Sequence, residues 1–187
     1  CEVNVRMRLR NLVLLVLAGL PAAPPLNGVD VPIHDVQGAG AESPRAGQSV
    51  STTGVVTARK GNGFFLQAPD AEADADPATS EGVFVFTSSE PTASAAVGSR
   101  VRVTGTVLEY RPSSDPSSPP LTEIAGNPQV DLLSTGNTLP TPVLLTPDDL
   151  SPALPAGRLE RYEGMRVRVD ALLVVAPTGG TVDEATA

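Results

Sequence analysis

An all-β chain is what this sequence predicts: a small five-stranded barrel followed by the start of a second β domain. Three observations carry that expectation. Alternating, β-branched segments recur between Gly47 and Arg111, each bounded by glycine or proline, which is the period of short strands. The 187 residues include 19 prolines and 17 glycines, so turns should be many and helix scarce. Finally, the phrase Val97-Gly98-Ser99-Arg100-Val101-Arg102-Val103 returns as Glu163-Gly164-Met165-Arg166-Val167-Arg168-Val169, as in a duplicated unit. Two unrelated amphipathic strands would also write so short a phrase.

The strands follow in order. Gly47-Gln48-Ser49-Val50 leads into Thr53-Gly54-Val55-Val56, and the second is Gly63-Phe64-Phe65-Leu66-Gln67. Gly82-Val83-Phe84-Val85-Phe86 is the third. Pro91-Thr92-Ala93-Ser94-Ala95-Ala96 suits a short helix before the fourth, Arg100 to Val107. Residues 112–120, with four prolines and four serines, read as a loop to a weaker fifth strand near Thr122 to Leu133. This order suits the OB-fold, a five-stranded barrel that grips single-stranded nucleic acid or sugar. The expected barrel is antiparallel, with Val101, Val103 and Val107 inward and Arg100 and Arg102 outward, because a one-residue slip would bury two guanidinium groups. Phe84 and Phe86 share a face and are assigned to the core.

Flanking segments complete the expected division. Residues 1–23 comprise upstream residues and a signal peptide: Met7-Arg8-Leu9-Arg10-Asn11 is basic, and Leu12 to Leu20 is apolar but short for a membrane span. Met7 reads as the true start, and Cys1 precedes the apolar run, so it is no lipoprotein cysteine. Residues 24–46 form a linker with an extended lead-in at Val31 to Gln37. Residues 47–135 form the OB-fold domain, 136–161 a Pro-rich linker with a short strand at Val143 to Leu145, and 162–187 a truncated second β domain. A secreted or extracellular location follows from the signal, with no membrane attachment after its removal.

Composition limits function. A formal charge of −8 argues against nonspecific adhesion of the whole chain to DNA or anionic membrane. A single cysteine excludes an intramolecular disulfide and a cysteine zinc cluster. Between residues 48 and 111, however, there is a local excess of three positive charges once the acidic loop is set aside, and five of the six aromatics lie in that window. OB grooves pair cations for phosphates with aromatic platforms for bases. The candidate nucleic-acid contacts are therefore Arg59, Lys60, Asn62, Phe65, Gln67, Tyr110 and Arg111. The first three fall at the turn between the first two strands, and Tyr110-Arg111 opens the loop before the last, where OB barrels flank their groove. Ordinary solvated turn charges are the competing reading.

Asp70, Glu72, Asp74 and Asp76 alternate, with Glu81 five residues on, as carboxylates do in calcium loops. Alanines fill the intervening positions and no glycine occurs before Gly82. The expected cofactor set is thus none, with Ca²⁺ at most weakly held there; the rival is a solvated acidic hairpin loop. His34, the one histidine, is assigned a structural or capping role beside Asp35. No G-x-S-x-G or P-loop phrase occurs, and one His-Asp pair makes a poor triad, so catalysis is not expected of this chain.

Taken in order, several phrases resemble a known family. These are Ile33-His34-Asp35-Val36-Gln37-Gly38, Thr53-Gly54-Val55-Val56-Thr57, Asn62 to Gln67, Asp76 to Phe86, Val97 to Val107, Leu121-Thr122-Glu123-Ile124 and Tyr162 to Val167. They are similar to the N-terminal OB-fold module of large secreted bacterial nucleases, over residues 33 to 175. In that family the module precedes a metal-dependent domain of the endonuclease/exonuclease/phosphatase type. The resemblance implies a non-catalytic nucleic-acid-binding module whose partners are single-stranded or duplex nucleic acid, weakly bound, and a covalently linked downstream nuclease domain. No catalytic residue carries over, because that domain has no counterpart here. A structural or protein-interaction β module is the alternative, and carbohydrate binding is a third reading that would want more exposed Trp or Tyr than Tyr110 and Tyr162 supply.

Overall fold

The computed structural model describes residues 29–171. The expected signal peptide, Cys1 and residues 172–187 lie outside the described residues. Strand β1 (Val29–Asp30) and the short helix α1 (Ile33–Gln37) come first. Strands β2 (Ser49–Lys60), β3 (Gly63–Gln67), β4 (Gly82–Phe86), β5 (Arg100–Tyr110) and β6 (Leu121–Ser134) follow. A 3₁₀ turn at Ala93–Ala95 lies between β4 and β5, where a short helix was expected. Strands β7 (Val143–Leu144) and β8 (Val167–Arg168) flank a 3₁₀ segment, Ala156–Tyr162.

The chain is all-β. Strands β2, β3, β4, β6 and β5 pair in that order, and β5 pairs back onto β2, closing a five-stranded ring as the OB-fold-like expectation requires. One joint differs from the all-antiparallel expectation: β4 and β6 run parallel, Phe84 beside Glu123 and Val85 beside Ile124. The reason is connectivity. Strand β5 intervenes in sequence and pairs antiparallel with β6, so β6 returns in the direction of β4.

Alternation sets the core. Val101, Val103 and Val107 are fully buried with Phe64, Leu66, Val83, Val85 and Ile124, while Arg102 is exposed and Arg100 lies outward against Glu72 at 2.7 Å. Phe84 is buried as expected but on the outward side of β4, apart from the interior cluster, and Phe86, assigned to the core with it, is half-buried. Phe84 pairs with Phe65 across the strands and so shares Phe65's outward face, yet it is only 4% exposed. Lys60 lies over its ring and Phe65 against its side.

The lead-in is not an extended linker. Ile33–Gln37 is helical, packs on β2 and β4, and buries Ile33 and Val36 in the ring's core. Val31 adds to the same cluster, its amide bonded to the Ser51 carbonyl at 2.9 Å. Burial of these three apolar side chains makes residues 31–37 part of the domain.

The 136–161 segment and the described part of the expected second domain also lie on the ring. Thr141 donates its amide (2.9 Å) and hydroxyl (2.6 Å) to Asp70, and Arg166 donates its amide to Gln67 Oε1 at 2.8 Å. The Ser80 hydroxyl donates to the Glu163 carbonyl at 2.6 Å. Strands β7 and β8 form a separate two-stranded parallel sheet. The repeated phrase keeps one local feature in both places. Gly98 (φ +81°) and Gly164 (φ +70°) both occupy the left-handed region, and each is followed by a turn bond, Ser99 to Ala96 and Met165 to Tyr162. Glycine is favoured there because it has no Cβ to clash.

Candidate nucleic-acid interface

Strand register places the candidate residues at two ends of one outward face. Lys60 pairs with Gly63, joined by the two-residue turn Gly61-Asn62, and Gly63 pairs with Phe86. At the other end of β3, Gln67 pairs with Gly82; the parallel β4–β6 joint puts the start of β6 on that side, where Leu121 pairs with Tyr110. The two groups are thus separated along a five-residue strand, about 13 Å.

Next to the first end, Phe65, the middle residue of β3, is half-buried and packs on Phe84 with ring centroids 5.1 Å apart at 52°. Lys60 is exposed, with Nζ 5.6 Å from the Phe84 ring centre, a cation–π distance that holds the ammonium at the surface. Arg59 donates from Nη2 to the Pro91 carbonyl at 2.5 Å and lies 3.9 Å from Glu90, so it anchors the connection after β4. Asn62 is exposed, and its carbonyl accepts the Thr87 amide at 2.9 Å. Beside this turn a cleft of about 250 Å³ is lined by Phe64, Thr87, Glu90, Pro91, Asn127 and Pro128.

At the second end, Tyr110 is 50% exposed. Arg111 donates to Glu42 at 2.8 Å and to the Ser118 carbonyl at 3.1 Å. Its ion pair is solvent-exposed, a kind worth about 0–1 kcal/mol, so a phosphate could replace Glu42 at small cost. Gln67 does not belong to a ligand surface. Its side chain is 2% exposed and its oxygen accepts the Arg166 amide, which fixes the C-terminal segment to the ring.

Between the ends, register aligns one outward residue from each of four strands: Phe65, Phe84, Glu123 and Leu108. Phe84 and Glu123 are covered, whereas Leu108 is exposed. Burial pushes the Glu123 carboxyl above its ordinary range. The row is therefore covered in its middle, at Phe84 and Glu123, and open toward Phe65 and Leu108. Sequence reasoning missed Leu108 and Glu123. The alternation of Val107-Leu108-Glu109 was the available signal for the first, and none marked the second.

The acidic loop does not gather its carboxylates at one point. Asp70 binds Thr141, which holds its carboxyl below the ordinary range, and Glu72 pairs with Arg100. Asp74 and Asp76 accept loop amides from Asp76 and Ala78 at 2.9 Å each. That is the hydrogen bonding of a self-supporting loop.

A second carboxyl group is half-buried where the C-terminal segment meets the ring. Glu163 Oε1 accepts the Thr122 amide at 2.9 Å and Gln37 Nε2 at 3.4 Å. Burial, with the charge of Glu160 beside it, pushes the Glu163 carboxyl up to about 7. Gly82 and Gly164 meet backbone to backbone here: a Cβ on Gly164 would lie 2.8 Å from the Gly82 carbonyl carbon. Sequence reasoning named neither contact.

Comparison with protein-family models finds no match, and comparison with curated proteins finds none. No helix among the described residues is long and apolar enough to cross a membrane.

Proposed function

We propose that this chain is a non-catalytic nucleic-acid-binding module of a secreted nuclease-like protein, with single-stranded nucleic acid as its ligand. The observation that carries the reading is the exposed patch at the β2–β3 turn. A lysine, an asparagine and a half-buried phenylalanine there neighbour Phe64 and Thr87, two of the residues lining a cleft of about 250 Å³ at that end of the five-stranded ring. Such a patch offers one cation for phosphate, one amide for hydrogen bonding and one ring for stacking. Secretion is supported by the basic Met7–Asn11 run followed by the apolar Leu12–Leu20. Catalysis is assigned to a covalently linked partner domain, because a single histidine and dispersed loop carboxylates make a poor phosphodiesterase centre.

Few cations and a chain charge of −8 keep affinity on the order of 10 µM or weaker at physiological salt. Fluorescence anisotropy with a labelled single strand tests the reading. Lys60→Ala should reduce the salt slope by about 0.7, one phosphate contact, and Phe65→Ala should cost about 1–3 kcal/mol with the slope unchanged. Absence of binding at low salt would refute the proposal. It would favour the structural or interaction module, a reading supported by the engagement of Gln67, Arg59 and Arg111 with the chain's own groups.

A further inference from the structure

Away from that patch, three chelating side chains from three elements converge. His34 lies on α1, Asp74 in the acidic loop, and Glu81 just before β4. His34 Nδ1 is 3.2 and 3.3 Å from the two Glu81 carboxylate oxygens and 3.8 Å from Asp74 Oδ2. One ligand atom from each residue falls within 4.8 Å of the others. A tetrahedral Zn²⁺ with N and O ligands at about 2.0–2.2 Å sets its ligand atoms about 3.3 Å apart, so small rotations would fit this set.

The three groups are held from behind. Ile33 and Val36 bury α1 on either side of His34. The Glu81 carbonyl accepts the Ala68 amide at 2.9 Å, and its Oε1 accepts the Asp74 amide at 2.6 Å, drawing the loop onto the glutamate. Thr79 donates its hydroxyl to Asp74 at 3.2 Å. The side chains of His34 and Glu81 are only 16% and 10% exposed, and that of Asp74 27%. A ligand would therefore meet a preformed, half-desolvated site with a solvent opening on the Asp74 side.

Charge decides what such a ligand would be. With a neutral imidazole the two carboxylates leave the cluster at −2, and Arg100, which reaches the acidic loop from β5, is engaged by Glu72. A divalent ion neutralises that charge. An imidazole in the ligand set selects Zn²⁺ or a neighbouring transition ion over Ca²⁺, which takes oxygen ligands. We propose that His34, Asp74 and Glu81 form a structural binding site for a divalent transition-metal ion, Zn²⁺ foremost, which clamps α1 and the acidic loop to the start of β4.

The single histidine makes the test direct. Zn²⁺ is titrated into the full chain, with Cys1 alkylated to remove the competing thiol, while the one imidazole is followed by NMR. The expected result is a stoichiometric shift of the His34 ring resonances and a rise in Tm, both reversed by EDTA and neither produced by equal Ca²⁺. His34→Gln and Glu81→Gln should each weaken Zn²⁺ at least about tenfold while keeping the far-ultraviolet circular dichroism of the parent. An unmoved imidazole at saturating Zn²⁺, or equal Zn²⁺ affinity in folded His34→Gln, overturns the proposal and leaves the cluster a histidine–carboxylate hydrogen-bonded pair.

Discussion

Replacing Glu163 by glutamine should stabilise the protein in alkali and leave it nearly unchanged in acid. The Glu163 carboxyl is raised from 4.5 to about 7, first by burial and then by the neighbouring Glu160 charge. The native state therefore holds a proton that the unfolded chain releases between pH 4.5 and 7. Stability from this group is complete below pH 4.5 and is lost as pH rises through 7. At about 1.4 kcal/mol per pH unit the gap is worth at most about 3.5 kcal/mol. Solvent screening of a half-buried carboxyl reduces this to about 1–2 kcal/mol. Glutamine keeps an oxygen for the Thr122 amide and gains an N–H for Glu160, so it removes the cost of ionisation without removing the tie. Urea unfolding followed by circular dichroism at pH 5 and pH 8 reads the difference. Glu163→Gln should exceed the parent by about 1–2 kcal/mol at pH 8 and by little at pH 5. Equal destabilisation at both values would refute the reasoning, because the carboxylate itself would then be the required partner of Thr122 and Gln37.

Three further substitutions separate core from surface and ring from tail. Phe64→Ala should cost about 3–5 kcal/mol in the same urea assay, since the ring is fully buried, while Phe65→Ala on the outward face should cost markedly less. Gly164→Ala combines a left-handed backbone with a 2.8 Å approach to Gly82, so it should cost about 1–3 kcal/mol. It should also speed hydrogen exchange at the Arg166 and Thr122 amides, which hold the segment to the ring, without exposing Val101 and Val103.

Much of the ring was legible because period-2 alternation has one dominant physical solution. Val101, Val103 and Val107 went inward against Arg100 and Arg102 since no other register avoids burying a guanidinium. Phe84 is buried as expected but on the outward face, because alternation says which residues share a face and not which face turns to the ring's interior. Its pairing with Phe65 decides that, and register between strands is a tertiary fact. The helix at Ile33–Gln37 had its signals in view: apolar residues three apart, proline before and glycine after. Five residues are too few for periodicity to outweigh a proline-rich setting. Gln67 read as an exposed polar residue ending a strand, and only the return of Arg166 from 99 residues away buries it. The His34–Asp74–Glu81 cluster was beyond sequence reasoning for the same reason, its members spanning 47 positions.

The central claim, that the β2–β3 turn is a nucleic-acid surface, is tested most directly by mapping amide shifts while a short single-stranded oligonucleotide is added at low salt. Perturbations should concentrate at Lys60, Asn62, Phe65 and the Thr87–Pro91 side of the cleft, with a smaller set at Tyr110 and Arg111, and should disappear as salt rises. Perturbation centred on the acidic loop, or none at any salt, would contradict it.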